Sequence, residues 1–317
     1  MNIVLAEPLG VDQKLIEEFK QKITAAGHAL TVYDTCPADQ EDLSKRVRDA
    51  DAVLIANYPF GKEAILAAEN LRYIDIAFTG VDHVAVDVCR DKGINVSNAS
   101  GYSDIAVAEL AFAMMLSLSR NVLQCDAVTR RSGTKNGLIG TELYGKTLGV
   151  VGAGKIGSTV MRIGQAFGCR VIAYNRTIKP ELETTGVTFV TLEELMAKSD
   201  YVTLHVPVND STKGMINAKV LGLMKQNAFL INTARGPIVD SEALAKALNT
   251  GRIAGAGIDV FEMEPPIPAD HPLLRAKNTL LTPHVAFATK EALERRAGIV
   301  FDNMFAWLGN EIKNKIC

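Results

Sequence analysis

The sequence predicts an α/β protein of two domains, each a parallel sheet with helices on both faces. The first observation is that short β-branched runs alternate with helical patterns along most of the chain. Such strands pair in parallel, because each helix carries the chain back to the same edge of the sheet. The second observation is that the alternation restarts after one long apolar segment near residue 103. A length of 317 residues suits two domains.

The first half of the chain carries five of the predicted strands. Gly27 closes an amphipathic helical pattern that starts after the first of them, and helical stretches near 40–50, 61–69 and 84–92 separate the others. The strand-like runs are NIVLAE, ALTVYD, AVLIAN, RYIDIAF and INVSN.

The segment SDIAVAELAFAMMLSLSR, residues 103–120, predicts a helix that is apolar nearly all round. Between Asp104 and Arg120 the only charged residue is Glu109. Such a helix is expected to be buried on every side. Three settings would bury it: a domain junction, a subunit interface or an ordinary core.

The second half carries six predicted strands and a long final helix over 289–310. Thr191 and Glu194 form a capping-box pair before one of the helices. The strands read TLGVVG, RVIAYN, YVTLHV, AFLINT, AGAGID and NTLLT, and the helices lie near 155–168, 191–198, 217–224 and 241–249.

Composition excludes several classes of protein. The net charge is −2, so no basic excess would attract nucleic acid. No apolar run approaches the roughly 20 residues that span a bilayer, so no membrane partner is expected. The five cysteines are scattered without a C-x-x-C pair, which predicts neither a disulfide framework nor a metal site. The N-terminus lacks a signal-peptide pattern, and we expect a cytoplasmic protein.

The clearest motif is a glycine-rich turn after the strand TLGVV. Gly152, Gly154 and Gly157 form G-x-G-x-x-G between a predicted strand and a predicted helix. In that context the motif indicates a dinucleotide site, with the pyrophosphate on the helix N-terminus. The alternative is a tight turn that binds no ligand.

Asn175, Arg176 and Thr177 stand where NAD sites usually carry an acid. An acidic residue there binds the adenosine ribose and repels a 2′-phosphate. Asn175 carries no charge, and Arg176 and Thr177 can pair with a phosphate, which favours NADP. In the alternative, Arg176 points to solvent or stacks on adenine, and the coenzyme is NAD.

Three later motifs bring reactive side chains to strand ends. Arg235 in NTARGPIVD suits a substrate carboxylate, or else a structural ion pair. Asp259, Glu262 and Glu264 cluster after the next strand, where one of them can orient a histidine, unless the loop is merely solvated. His284 in TPH has the best setting for general acid work. His205 fits a coenzyme wall, and His28, His83 and His271 suit loops or the surface.

The order of these motifs resembles the D-isomer-specific 2-hydroxyacid dehydrogenase family. The resemblance covers nearly the whole chain and includes FTGVDHVAVDVCRDKGINVSN, GYSDIAVAELAFAMMLSLSR, YGKTLGVVGAGKIG, NTARGPIVD, DVFEMEP and TPH. It implies two Rossmann-like doubly wound domains with a cleft between them. A dinucleotide-binding domain, 99–283, would be inserted in a flavodoxin-like substrate domain, 1–98 and 284–317. The helix 103–120 would form a homodimer interface.

The resemblance also implies roles for individual residues. His284 would protonate the substrate carbonyl, Glu264 would pair with it, and Arg235 would bind the oxoacid. Substrate contacts would include Asn57, Thr79, Gly80 and Val81, with Arg235 and His284. The coenzyme contacts would comprise Val107, Gly152, Gly154, Lys155, Ile156, Gly157, Asn175, Arg176, Thr177, His205, Val206, Pro207, Thr212, Thr233, Ala234, Asp259, His284 and Ala286.

The expected activity is NAD(P)-dependent reduction of a small 2-oxoacid to the D-2-hydroxyacid. The segment SNASGYSDIAVAE favours hydroxypyruvate or glyoxylate. Specificity like that of D-lactate or phosphoglycerate dehydrogenases is the alternative, and formate-oxidising relatives are a further rival. A non-catalytic dinucleotide sensor is a rival of another class. We expect no appended amino-acid-sensing domain.

Overall fold

The computed structural model describes all 317 residues and contains two parallel sheets. The strands are β1 (Asn2–Leu5), β2 (Ala29–Val32), β3 (Ala52–Ile55), β4 (Tyr73–Ile76), β5 (Asn95–Asn98), β6 (Thr147–Val151), β7 (Arg170–Tyr174), β8 (Thr188–Phe189), β9 (Tyr201–Leu204), β10 (Phe229–Asn232), β11 (Gly255–Ile258) and β12 (Thr279–Leu281). The helices are α1 (Gln13–Ala25), α2 (Gln40–Val47), α3 (Lys62–Ala67), α4 (Val86–Lys92), α5 (Asp104–Ser119), α6 (Val122–Thr129), α7 (Lys155–Ala166), α8 (Pro180–Glu183), α9 (Leu192–Lys198), α10 (Ala218–Leu221), α11 (Ser241–Asn249) and α12 (Lys290–Leu308). Two 3₁₀ turns, Gly236–Ile238 and Pro272–Arg275, complete the regular structure.

All eleven predicted strands are present, and the parallel α/β fold class is confirmed. The elements that sequence analysis did not predict are β8, α6, α8 and the two 3₁₀ turns. β8 has two residues and α8 has four. Elements this short carry too few residues for a periodic pattern to emerge.

Unit 1 consists of residues Met1–Ser103 and Ala288–Cys317. Its sheet has the order β2-β1-β3-β4-β5, as in flavodoxin-like folds. Stacked rings fix two helices in this unit. Phe19 of α1 stacks on Phe301 of α12 at 3.8 Å between centroids, and Tyr73 of β4 stacks on Trp307 at 4.8 Å.

The segment 314–317 pairs with the outer strand of this sheet. Ile316 N–H donates to the Val96 carbonyl at 2.7 Å, and Val96 N–H donates to the Cys317 carbonyl at 3.1 Å. Ser97 and Lys315 form an antiparallel bridge. The segment therefore covers the free edge of β5.

Unit 2 consists of residues Asp104–Phe287 and contains the second sheet. Its order is β12-β11-β10-β9-β6-β7-β8, which is the doubly wound order of a Rossmann fold. Strands are added outward from β6 on one side and from β9 on the other, so the strand order reverses between these two neighbours. Open α/β sheets bind ligands at such a switch point. Apolar clusters cover both faces, one of them including Phe112 and Leu148 and the other Leu204 and Leu244.

The two units divide at 103/104 and 287/288, whereas the predicted boundaries were 98/99 and 283/284. His284 thus lies in unit 2 and not at the start of the returning segment. The reason is a set of hydrogen bonds from Val285 and Ala286 N–H to the Asp259 carboxylate, which holds residues 284–286 against β11.

Helix α5 is less buried than its composition predicts. Ala108, Ala111 and Met115 are fully buried, but Ile105 is 44% exposed. Glu109 and Ala113 are exposed on the same side, at intervals of four residues. One chain alone therefore leaves this stripe of the helix uncovered, and burial on every side stays a prediction that depends on a subunit interface.

None of the helices alone has the length and apolarity needed to cross a membrane; α5 and α6 meet those limits only as a pair, bent by 58°.

Candidate functional site

The glycine-rich turn follows β6 at the switch point of the second sheet. Gly152 has φ of 102°, and a Cβ there would lie 2.4 Å from the His205 carbonyl oxygen. A Cβ on Gly157 would lie 1.9 Å from the Gly152 carbonyl oxygen, so α7 approaches the turn closely. A Cβ on Gly154 would meet nothing within 4 Å. Gly152 and Gly157 therefore allow close packing, and Gly154 leaves open space where a ligand phosphate can approach the protein backbone.

The N-terminus of α7 is available to an anion. No side chain caps this helix, which begins with Lys155 and Ile156. Its first N–H groups point along the axis beside the open face of Gly154, and they carry the positive end of the helix dipole. The turn and helix therefore fit the pyrophosphate of a dinucleotide, as the motif predicts.

Asn175 joins the glycine turn to the residues after β7. Its Oδ1 accepts from Ala153 N–H at 3.0 Å, and its Nδ2 donates to the Thr177 carbonyl at 2.7 Å. An aspartate could accept the first bond but could not donate the second. Asn175 thus has a structural role, bridging the glycine turn and the Thr177 carbonyl, that sequence analysis did not predict. It holds the exposed side chains of Arg176 and Thr177 next to the glycine turn.

The loop after β9 is a candidate wall of the coenzyme site. Burial lowers the pKa of His205 to about 3, so its ring is neutral at physiological pH. Its Nε2 lies 2.8 Å from Thr203 Oγ1. Thr212 Oγ1 donates to the Pro207 carbonyl at 2.7 Å and fixes the turn that follows Val206. His205 is therefore suited to line the coenzyme site and not to transfer a proton.

Arg235 follows β10 on an extended backbone, φ −150° and ψ 139°. The Asn232 side chain holds this turn, accepting from Ala234 N–H at 3.1 Å and donating to the Arg235 carbonyl at 2.9 Å. A Cβ on Gly236 would lie 1.8 Å from the Phe261 carbonyl oxygen. That close approach brings Arg235 beside the loop after β11. The nearby Thr233 hydroxyl is buried without a partner, as expected of a group that meets a polar ligand atom.

His284 lies two residues beyond Thr282, after the end of β12, and has a left-handed backbone with φ of 57°. The fully buried Asp259 stabilises this turn. Its carboxylate accepts from Thr282 Oγ1 at 2.5 Å, Val285 N–H at 2.8 Å and Ala286 N–H at 2.9 Å. Its carbonyl accepts from His284 N–H at 2.7 Å. Asp259 therefore fixes where the imidazole emerges.

Glu264 is the acid that pairs with His284. His284 Nδ1 lies 2.7 Å from one Glu264 oxygen and 3.0 Å from the other. The imidazole edge packs against Phe287, with ring centroids 5.4 Å apart and planes at 87°. A carboxylate on Nδ1 fixes the tautomer and the orientation of the ring, as proton transfer through Nε2 requires.

Glu262 has a different partner from Glu264. Its Oε2 lies 3.0 Å from Nε2 of His271, which is buried and caps the 3₁₀ turn Pro272–Arg275. His271 lies in a loop, one of the two positions that the sequence suggested, but not at the surface, because Phe261 packs edge-on against its ring. The three clustered acids therefore have three separate roles, which their spacing alone does not distinguish.

The substrate-site candidates of unit 1 lie on two loops after its strands. Asn57 follows β3 and is half-buried, and Thr79, Gly80 and Val81 follow β4 with at least partial exposure. Two supporting residues were missed by sequence reasoning. Asn98 Nδ2 donates to the Thr79 carbonyl at 2.7 Å, and the Glu7 carboxylate accepts backbone N–H groups on both sides of Asn57. Glu7 lies two residues beyond the end of β1, and that position was the one signal for it.

Two further coenzyme candidates of unit 2, Val107 of α5 and Ala286 of the His284 turn, are buried. Ala234 is half-buried at the Arg235 turn.

Most of the chain is similar in sequence to known proteins. A sequence profile described as D-isomer specific 2-hydroxyacid dehydrogenase, NAD binding domain, matches residues 112–286. A glyoxylate reductase from Korarchaeum cryptofilum is 39% identical over 286 residues, which are 88% of this chain and 86% of that protein. A hydroxypyruvate reductase from Blautia hydrogenotrophica is 34% identical over 295 residues, 90% of this chain and 91% of the relative. The solved structure of the acyclic imino acid reductase Bsp5 with NADPH and D-Arg matches with a TM-score of 0.90 and 33% identity, covering 100% of both chains.

Proposed function

Since the chain belongs to the D-isomer-specific 2-hydroxyacid dehydrogenase family, we propose that it reduces glyoxylate or hydroxypyruvate to the corresponding 2-hydroxyacid, with the D product for hydroxypyruvate. The observation that carries the proposal is the His284–Glu264 pair, held on a clamped turn at the strand ends of the coenzyme-type sheet. A bound nicotinamide coenzyme supplies the hydride for this reaction.

His284 is the proposed proton donor to the substrate carbonyl oxygen. Glu264 engages Nδ1, so the proton leaves from Nε2. The carboxylate stabilises the imidazolium before transfer and orients the ring. His205, the other histidine at a strand end, is kept neutral by burial and is therefore a poor proton donor.

Arg235 is the proposed binder of the oxoacid. A guanidinium can contact a carboxylate and the adjacent carbonyl together, and its charge stabilises the oxyanion that develops during hydride transfer. The Asn232 clamp keeps the Arg235 backbone in one orientation. We assign Asn57 and the backbone N–H groups of residues 79–81 to the same substrate.

NADPH is the proposed coenzyme. Arg176 and Thr177 are exposed, and Asn175 fastens them to the glycine turn. In the Asn175→Asp variant a carboxylate would face the adenosine ribose, and the donor bond to Thr177 would be lost. We expect the ratio of kcat/KM for NADPH to that for NADH to fall by about tenfold or more. An unchanged ratio would contradict the proposal, and Arg170→Gln serves as a charge control elsewhere on β7.

A homodimer through α5 is the proposed assembly. The exposed stripe with Ile105 adjoins in sequence the exposed Val122 and Leu123 of α6, and Ile139 and Tyr144 are 91% and 76% exposed. Five large exposed apolar side chains therefore lie between residues 105 and 144, and contiguous patches of such side chains mark interaction sites. Ile105→Glu with Leu123→Glu should halve the mass measured by light scattering. The free cysteines suit a reducing compartment, so we place the protein in the cytoplasm.

The test of the activity is a matrix of 2-oxoacids against NADPH and NADH, followed by coenzyme absorbance. Glyoxylate and hydroxypyruvate should give the highest kcat/KM, with pyruvate and 3-phosphohydroxypyruvate below them. Oxidation of formate, or coenzyme binding without turnover of any oxoacid, would overturn the proposal.

A further inference from the structure

Unit 1 contains a buried pair of opposite charges beneath its strand ends. Glu7, two residues after β1, and Arg296, on α12, are each 4% exposed. Burial raises the pKa of Glu7, and three backbone N–H groups with the Arg296 charge oppose that rise. Burying charged groups costs free energy unless other interactions compensate, so the two side chains call for a role beyond packing.

Glu7 holds the loop that carries Asn57. Its Oε1 accepts from Ala56 N–H at 2.7 Å and from Tyr58 N–H at 2.9 Å. These two donors flank Asn57, and no ladder bond of the sheet restrains them at this point. One oxygen atom therefore fixes the backbone on both sides of a proposed substrate residue.

Arg296 supports the second loop. Its guanidinium lies over the Phe78 ring at 5.3 Å and the Tyr102 ring at 5.8 Å, and its Nη2 donates to the Leu9 carbonyl at 2.5 Å. Phe78 directly precedes Thr79, Gly80 and Val81. A cation on an aromatic face restrains the ring, and the ring restrains the start of the loop.

We propose that Glu7 and Arg296 are positioning residues for the oxoacid, each fixing one of the two substrate loops of unit 1. This inference rests on the proposed function, which assigns those loops to the substrate. Neither side chain needs to touch the oxoacid. Their effect belongs to substrate binding, because the proton donor and the coenzyme turn lie on unit 2.

The kinetic test measures KM and kcat for glyoxylate at saturating NADPH, and KM for NADPH. Glu7→Ala should raise the oxoacid KM by about tenfold, with a smaller fall in kcat and no change in coenzyme KM. Glu7→Gln should recover most of the loss, because its Oε1 still accepts both N–H groups. Arg296→Met should raise the same KM, and Arg296→Lys, which keeps the cation, should recover part of it.

Asp75→Asn is the matched control. Asp75 is a fully buried carboxyl of the same unit, but it accepts a hydrogen bond from Asn303 at 3.1 Å and not from the backbone of either loop. Its variant should leave the oxoacid KM unchanged. An equal rise in the control, or a Glu7→Ala variant that folds with wild-type KM, would overturn the proposal.

Amide hydrogen exchange separates this inference from the proposed function. Protection of the Ala56 and Tyr58 amides should fall in Glu7→Ala and persist in Glu7→Gln, whether or not turnover is detected. Unchanged protection in Glu7→Ala would refute the restraint by Glu7. A wild-type protein that turns over no oxoacid would refute the proposed function and the substrate role of the loops, while exchange still reports on the restraint.

Discussion

Two regions of unit 2 pair a histidine with a glutamate at similar distances but in different settings. His284 Nδ1 lies 2.7 Å from Glu264, and His271 Nε2 lies 3.0 Å from Glu262. The Glu264 side chain is 58% exposed and its histidine sits on a left-handed turn, whereas the Glu262 side chain is 34% exposed and its histidine caps a 3₁₀ turn. A histidine–carboxylate pair therefore does not identify a reactive site by itself. The backbone that carries it decides in which direction the second ring nitrogen points.

The largest expected effect is that of His284→Gln. The amide retains a polar group but cannot donate the proton, so kcat should fall by about 10²- to 10⁴-fold. Stopped-flow and steady-state assays with glyoxylate and NADPH measure the loss. His271→Gln, the same change in the other pair, should keep kcat near wild type, and the comparison breaks if the two variants behave alike.

Glu264→Gln should have the next largest effect. Glutamine can still accept from Nδ1–H, but the negative charge that stabilises the imidazolium is gone. We expect kcat/KM to fall by about 10- to 100-fold, because a hydrogen bond to a charged group contributes about 1.5–3 kcal/mol. Glu262→Gln, two residues away, is the control, and an equal loss there would assign the effect to the loop as a whole.

The His271→Gln variant should lose stability instead of activity. Removing a hydrogen bond that is largely buried costs about 1 kcal/mol, visible as a lower midpoint in urea unfolding. The urea midpoint of His284→Gln should change less, because Glu264 remains solvated without its partner. A larger drop in urea midpoint for His284→Gln than for His271→Gln would show that the His271–Glu262 pair contributes less to stability than the His284–Glu264 pair.

The smallest effect concerns pH. Burial alone would raise the pKa of Glu262, but hydrogen bonds from Ser241 and His271 outweigh it and lower the pKa below its usual 4.5. A lowered carboxyl pKa stabilises the fold above the unfolded-state value, and this stabilisation is lost as pH falls through the folded-state value. The difference in Tm between wild type and Glu262→Gln should therefore shrink from about pH 6 to about pH 3.5. A constant difference would contradict the pairing.

Sequence patterns predict the fold of this chain well because the buried strands are continuous apolar runs separated by helices. The glycine turn is also predictable, since Gly152 and Gly157 meet backbone atoms that exclude a side chain. The partner of each acid is not predictable from the sequence. Glu262 and Glu264 are two positions apart, yet they pair with histidines nine and twenty residues away. Likewise the donor role of Asn175 depends on where the Thr177 carbonyl points. Long-range side-chain geometry leaves no periodic signal.

The pairing of residues 314–317 with β5 has a consequence for association between molecules. An uncovered outer strand presents a row of N–H and C=O groups that can template the strand of a second copy. Val96 and Asn98 instead direct their N–H groups to Cys317 and Asn314 of the same chain. The segment thus acts as a built-in block against edge-to-edge aggregation of the flavodoxin-like sheet. Fraying of these four residues would expose the N–H and C=O groups along the outer edge of β5 to a second molecule.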